Sequence, residues 1–323
     1  MSFDQKVSTA NGNILTQTYH QHGFMACIRK AVSAVVMSLP VMFLGHRTNA
    51  SVGAYFDLVT DDGRMFYGDD FHFGFFHSGA RTLEEGLGAH TDLVAEMACL
   101  EGTNTVLDVG CGICAPAIRI AGSYDGSITG VNISREQVRH GNSLIEENGL
   151  TGRVRAVHGN ALDLDFEDES FDSILCLEVA GDICVTGEQK EKLVDELHRV
   201  LKPGGHIGFS DLVFTGKPSR KEEKSMRKIL YHEGRELITD WHALFRNRGF
   251  AIERQMDLIE DTMETWDHFI AVYEEKSEEV GRRYGKRIAA SSLENIRRIP
   301  DILRKYGSFT VMSLHKPPIG KLS

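Results

Sequence analysis

Residues 106–116 read VLDVGCGICAP, and this stretch decides the fold. An apolar, β-branched run ends at Val109, and Gly110 and Gly112 let the backbone turn and approach a ligand without Cβ interference. Ala115 supplies a third small position, where a following helix packs on the strand. A strand–glycine turn–helix unit also cradles dinucleotides, so the pattern alone leaves the ligand open. Two residues narrow it. Asp108 stands two places before the first glycine, where a carboxylate suits the amino group of an amino-acid-like ligand and would repel a pyrophosphate. The next apolar run ends in Asn132, where a nicotinamide enzyme usually carries the acid that binds its ribose.

Outward from the loop, short strand-like runs alternate with amphipathic stretches, the signature of βαβ units. Strands are expected at 105–109, 127–133, 153–159, 171–179 and 206–213. Helices are expected from Ala115, over 136–148 and over 190–201, the last closed by the KPGG turn at 202–205. Later strands at 249–259 and 308–314 alternate with helical stretches at 216–248 and 262–306. The fold class is α/β, a doubly wound sheet with helical decoration. Residues 1–50 read as a helical extension or lid, and 51–323 as one domain with its ligand-binding core at about 100–215.

The chain has 323 residues, 41% hydrophobic and 25% charged, enough to bury a proper core. Lys and Arg number 36 against 46 Asp and Glu, and the net charge of -10 offers no footprint for nucleic acid or an anionic membrane. Cys111 and Cys114 form a lone CxxC inside the glycine loop, with no second pair to complete a four-thiolate site, so no metal is expected there. His20 and His22 lack a third ligand. The apolar stretch Ser33–Gly45 is too short to span a bilayer and is interrupted by Pro40, so a packed helix in a cytoplasmic protein is expected, without stable membrane insertion.

Asp108-x-Gly110-x-Gly112, the stretch from Gly159 to Leu164, FDSILCLE (171–178) and LKPGGHIGFSD (201–211) resemble the class I S-adenosylmethionine-dependent methyltransferases. YFDLVTD (55–61) and YGDDFHFGFF (67–76) are similar to the sterol C-methyltransferase branch, which also takes in natural-product methyltransferases. The resemblance covers residues 54–215 well and implies a Rossmann-like, seven-stranded sheet, mostly parallel with the last strand antiparallel. It implies S-adenosylmethionine as cofactor, with Gly110 and Gly112 along its methionyl part and Asp108 near its amino group. Asn132, Ile133 and the nearby Gln137 would face ribose and adenine, Asn160 and Ala161 the adenine, and Tyr55, His72 and Phe73 would close over the methionine tail. The stretches 216–248 and 262–306 become acceptor-binding insertions.

Methyl transfer from a sulfonium needs mainly alignment of the two reactants, and a base only where the acceptor loses a proton. Glu178, just past a strand end, is the first candidate base, and His72 the second. Tyr67, Phe75, Phe76, Trp241 and Phe245 are candidate acceptor-binding residues, although such aromatics also serve as ordinary core. The expectation is methylation of a small molecule, leaning to carbon of an apolar or isoprenoid acceptor, by a homo-oligomer. N-, O- or S-methylation of a polar metabolite, and cyclisation without methyl transfer, stand as alternatives. LEVAGD (177–182) lacks the proline and stacking aromatic that amino-group methylation of a flipped base would need, which argues against a nucleic-acid substrate.

Overall fold

TVLDV forms strand β1 (Thr105–Val109), buried from its second residue onward, as a strand at the centre of a sheet must be. The computed structural model describes residues 48–222, apart from 78 and 185, and residues 238–318. His20, His22, Ser33–Gly45, most of the expected 1–50 extension and residues 223–237 of the first expected insertion lie outside the described residues, as does the side chain of Tyr67.

Among the described residues, chain order begins with helices α1 (Asn49–Tyr67) and α2 (Leu83–Met97), each opened by a threonine capping box, at Thr48 with Ser51 and at Thr82 with Glu85. After β1 come α3 (Ala115–Ala121), β2 (Ser127–Asn132), α4 (Arg135–Glu147), β3 (Val154–His158) and β4 (Phe171–Leu177). The short α5 (Ala180–Ile183), then α6 (Gly187–Val200), β5 (Leu201–Phe214), α7 (Ile238–Asn247) and β6 (Ala251–Asp257) follow. Helices α8 (Glu264–Glu275), α9 (Ser277–Tyr284) and α10 (Lys286–Tyr306) lead into β7 (Gly307–His315).

The seven strands among the described residues make one sheet in the order β3-β2-β1-β4-β5-β7-β6. β1 to β5 run parallel, and β7 is antiparallel to both of its neighbours. Strand order reverses between β1 and β4, so a crevice opens beyond their carboxyl ends, where open α/β sheets bind ligands. One expectation is corrected. The KPGG stretch does not precede the strand but lies within β5: Phe171 pairs with Leu201 and Ser173 with His206, and the intervening residues bulge out around Gly204, at φ 85°.

Alternation along each strand divides the core between the two faces. Val106, Ile128, Leu175 and Val311 pack with Val94, Met97, Trp266 and Phe269 from α2 and α8. Leu107, Ile174, Phe209 and Met312 pack with Leu193, Leu197, Trp241 and Phe245 from α6 and α7. On the first face α2 crosses directly over Gly208 of β5, where a Cβ would overlap the Val94 carbonyl oxygen. Backbone cannot rotate away as a side chain can. Gly208→Ala is therefore expected to lower stability by roughly 1–3 kcal/mol, read as a reduced thermal midpoint, whereas an unchanged midpoint would mean that α2 does not sit this close.

Candidate active site

The glycine loop is built by hydrogen bonds to its neighbour strand. The amides of Gly110 and Cys111 both donate to the Val131 carbonyl, at 2.8 and 3.2 Å. Gly110 sits at φ 71°, and a Cβ there would collide with the Val179 side chain, so this close approach demands glycine. Gly112, at φ 54°, has nothing within 4 Å of where its Cβ would be: this side of the loop faces open space. Cys111 and Cys114 are both buried free thiols, with their sulfurs against Gly130, and the hydrogen bond with Cys114, reinforced by burial, pushes the Cys111 thiol well up. Enclosed in the core, the pair packs the loop onto β2.

Asp108 is the electrostatic feature of the crevice. It is buried, and its Oδ2 has no hydrogen-bond partner. Burial alone pushes its carboxyl up to about 7. A buried, unpaired carboxylate oxygen beside an open glycine cradle is a receptor for a cationic group.

Asn132 is committed to scaffold. Its Nδ2 donates to the Gly112 carbonyl at 3.2 Å and to Gln137 Oε1 at 2.8 Å, and its Oδ1 accepts the Ser134 amide at 3.0 Å. Gln137 is buried beside it and accepts from the Asn132 Nδ2. α1 lies over this end of β2. Asp57 accepts from Ser134 Oγ at 2.6 Å and from the Glu136 amide at 3.0 Å, and a Cβ on Gly53 would stand 2.9 Å from the Ile133 carbonyl oxygen. Tyr55, on α1, is buried. Asn160 folds its Oδ1 back onto the Leu162 amide at 3.0 Å, and both it and Ala161 are half-buried.

Glu178 follows β4 in the left-handed region, at φ 54°, which a non-glycine residue adopts only when its surroundings hold it there. They do. Its amide donates to the Ser210 carbonyl at 2.8 Å, and its Oε1 accepts the Phe73 amide at 2.6 Å. The Phe73 carbonyl accepts from the Nδ1 of both His72, at 2.9 Å, and His90, at 2.8 Å. A carbonyl only accepts, so both Nδ1 atoms carry hydrogen. His90 Nε2 then accepts from Ser210 Oγ at 3.1 Å, while His72 Nε2 lies 3.3 Å from Thr91 Oγ1 and 3.5 Å from Asp70 Oδ1. Burial, with His72 alongside, lowers His90 to about 3, so it stays neutral. Burial raises Glu178 well above the usual carboxylate range, the Phe73 amide opposing and Asp211 and Asp182 reinforcing the rise.

Several expected site residues stand elsewhere. His72 is buried with both ring nitrogens bonded, which removes it as a second base. Trp241 and Phe245 are fully buried against Phe209 on the face opposite α2, which removes them from an acceptor wall. Phe76 is buried, its ring filling the space above Gly74 and Gly86 and stacking on His268. The Phe73 ring sits among Trp266, Phe269 and Phe309, so the residue reaches Glu178 through its backbone. Phe75 stays half-buried, stacked on His77. His90, Thr91, Ser210 and Asp57 had no signal in spacing, because each joins the site from a distant part of the chain.

Residues 106–205 match a family model described as a methyltransferase domain. The chain is 28% identical over 222 residues to 27-O-demethylrifamycin SV methyltransferase of Amycolatopsis mediterranei, covering 68% of this chain and 80% of that one. It is 32% identical over 211 residues to a sterol 24-C-methyltransferase of Candida albicans, covering 63% of this chain, and it spans only 54% of that relative's length. Among solved structures, the cyclase SpnF superposes with a TM-score of 0.72 at 26% identity, over 84% of this chain and 97% of SpnF.

The Asp108 environment has a consequence for stability. Its folded carboxyl, near 7, holds a proton that the unfolded chain, near 3.8, has already released. Stability therefore falls as pH rises from about 4 to about 7 and stays reduced above that. Asp108→Asn removes this contribution, so the ligand-free variant is expected to gain thermal midpoint relative to the parent at pH 8 compared with pH 5. A difference between the two proteins that does not change with pH would contradict the assignment.

Proposed function

We propose that this chain, a member of the class I S-adenosylmethionine-dependent methyltransferases with its methyltransferase domain at 106–205, methylates a small apolar acceptor, carbon of an isoprenoid or similar alkene being the leading case. S-adenosylmethionine is the cofactor, and it supplies a methyl group already activated on a sulfonium. The residues present fit it. The unpaired Asp108 oxygen would receive its ammonium, and the open side of Gly112 would lie along its methionyl chain. Ile133, Asn160 and Ala161 would meet the nucleoside, with Asn132 and Gln137 holding the loop beneath it.

The chain's own work is then alignment, exclusion of water and proton removal. Methylating an alkene leaves a positive charge on the acceptor. Loss of an adjacent proton to the Glu178 carboxylate returns the electron pair to carbon and restores a double bond. The observation that carries this reading is Glu178 itself, a carboxylate whose proton affinity is raised by burial and which the Phe73 amide and a left-handed backbone hold at the crevice. The sterol-methylating relative supports carbon as the acceptor atom, and the rifamycin relative supports oxygen as the next case. The likeness to SpnF supports a second reading, cyclisation in the same pocket without methyl transfer.

Incubation with methyl-labelled S-adenosylmethionine and a panel of prenyl, sterol and polyketide acceptors separates these readings. Label in a new carbon–methyl bond is expected, while acceptor consumption without label would favour cyclisation. Glu178→Gln should lower turnover by about 10²–10⁴-fold with S-adenosylhomocysteine affinity preserved within a few-fold. Because the base form of Glu178 appears only above its raised proton affinity, turnover of the parent should climb with pH beyond the ordinary carboxylate range of about 4.3. Equal turnover in parent and variant would remove Glu178 from the reaction.

A further inference from the structure

The antiparallel half of the sheet gathers a second group of chemically capable side chains, remote from the crevice. His206 on β5 and His315 on β7 are direct register partners, so both project from the same face of the sheet. Their rings stack with centroids 4.6 Å apart and planes 13° from parallel. Glu253 of β6 completes the group, its Oε2 3.3 Å from His206 Nε2 and its Oε1 3.1 Å from His315 Nδ1. A register shift between Ile252 and Arg254 lets Glu253 serve both rings, because bulges re-aim side chains out of the regular alternation.

We propose that His206, Glu253 and His315 bind a divalent transition metal of the zinc type, which ties β5, β7 and β6 together. One ligand atom from each of the three residues lies within 4.8 Å of the others, so they can converge on a single ion. Two imidazoles and one carboxylate are a zinc donor set, with solvent completing the coordination. Lone pairs in two stacked rings 13° from parallel do not meet, so each imidazole rotates out of the stack to turn a lone pair to the metal and keeps its proton on the other ring nitrogen. The imidazole side chains are 22% exposed and Glu253 44%, which leaves an entry path while the strands hold the histidines in place. His206 lies four residues before Ser210, which holds Glu178, so roughly 13 Å of strand separates the group from the crevice and its role is structural.

His72, His90 and Glu178 also bring ligand atoms within 4.8 Å of one another. They differ in one respect: both Nδ1 hydrogens are engaged by the Phe73 carbonyl, and that network is already complete.

The test is a titration of the full chain, stripped with a chelator, with Zn²⁺ against a competing chromophoric chelator, repeated on His206→Gln/His315→Gln and on Glu253→Gln. The parent should bind one more Zn²⁺ than the double variant, and Zn²⁺ should raise the thermal midpoint of the parent but not of the double variant. Glu253→Gln, at an exposed side chain, keeps the test valid if the double variant fails to fold, and should weaken this Zn²⁺ site by about tenfold or more. Excess Mg²⁺ should not compete. Equal Zn²⁺ stoichiometry and affinity in the parent and Glu253→Gln, or an equal rise in midpoint in the parent and a folded double variant, would overturn the proposal.

Discussion

A carboxylate oxygen left without a partner inside a protein costs stability that nothing in the ligand-free chain returns, and here that oxygen is Asp108 Oδ2, at the end of the central strand. The rest of the crevice is arranged around it. β1 is buried on both faces, so Asp108 cannot swing to solvent. The glycine loop that follows is pinned to β2 by two amides donating to one carbonyl, and Val179 closes against Gly110. What remains open is the side of Gly112, next to the unsatisfied carboxylate. A cation delivered there would recover the lost solvation, and a ligand carrying both a cation and an extended chain would fill both features together.

The Phe73 peptide plays the corresponding part on the far side of β4. Its amide holds Glu178 and its carbonyl collects two histidines, while its ring is buried among the aromatics of α8 and β7. Packing of the phenyl ring thereby sets the place of a carboxylate that it does not touch. Thr265 of α8 adds a further tie by accepting the Gly74 amide at 2.9 Å, so the late helices support the crevice from behind. His90 belongs to this frame. Neutral, and bonded at both nitrogens, it positions Phe73 and Ser210 rather than exchanging protons.

Much of this was legible in the chain, for identifiable reasons. TVLDV and the glycines after it declare a buried strand and a tight turn through residue type alone, and the α/β alternation carries the topology. Asp108 was legible because its place relative to the glycines is local. The KPGG bulge was not, since it depends on which β4 residue pairs with which β5 residue. The face of Trp241 and Phe245 depends on which side of the sheet α7 covers, a tertiary fact. The Phe73–Glu178 bond joins residues 105 apart, a separation at which spacing holds no information. Asn132 was expected at a ligand, whereas its amide is bonded to Gly112, Gln137 and Ser134.

The same sheet thus serves two ends differently: its parallel half presents the crevice, and its antiparallel half is stapled at the opposite end by cross-strand side chains. Everything at the crevice turns on whether a cation completes Asp108. Calorimetric titration of the full chain with S-adenosylhomocysteine at pH 6, in buffers of different ionisation enthalpy, counts the protons exchanged on binding. With the ligand-free carboxyl near 7 and the bound one driven well below 6 by an ammonium, close to one proton released per ligand is the expected result. Absence of binding, or binding with no net proton release, would contradict it.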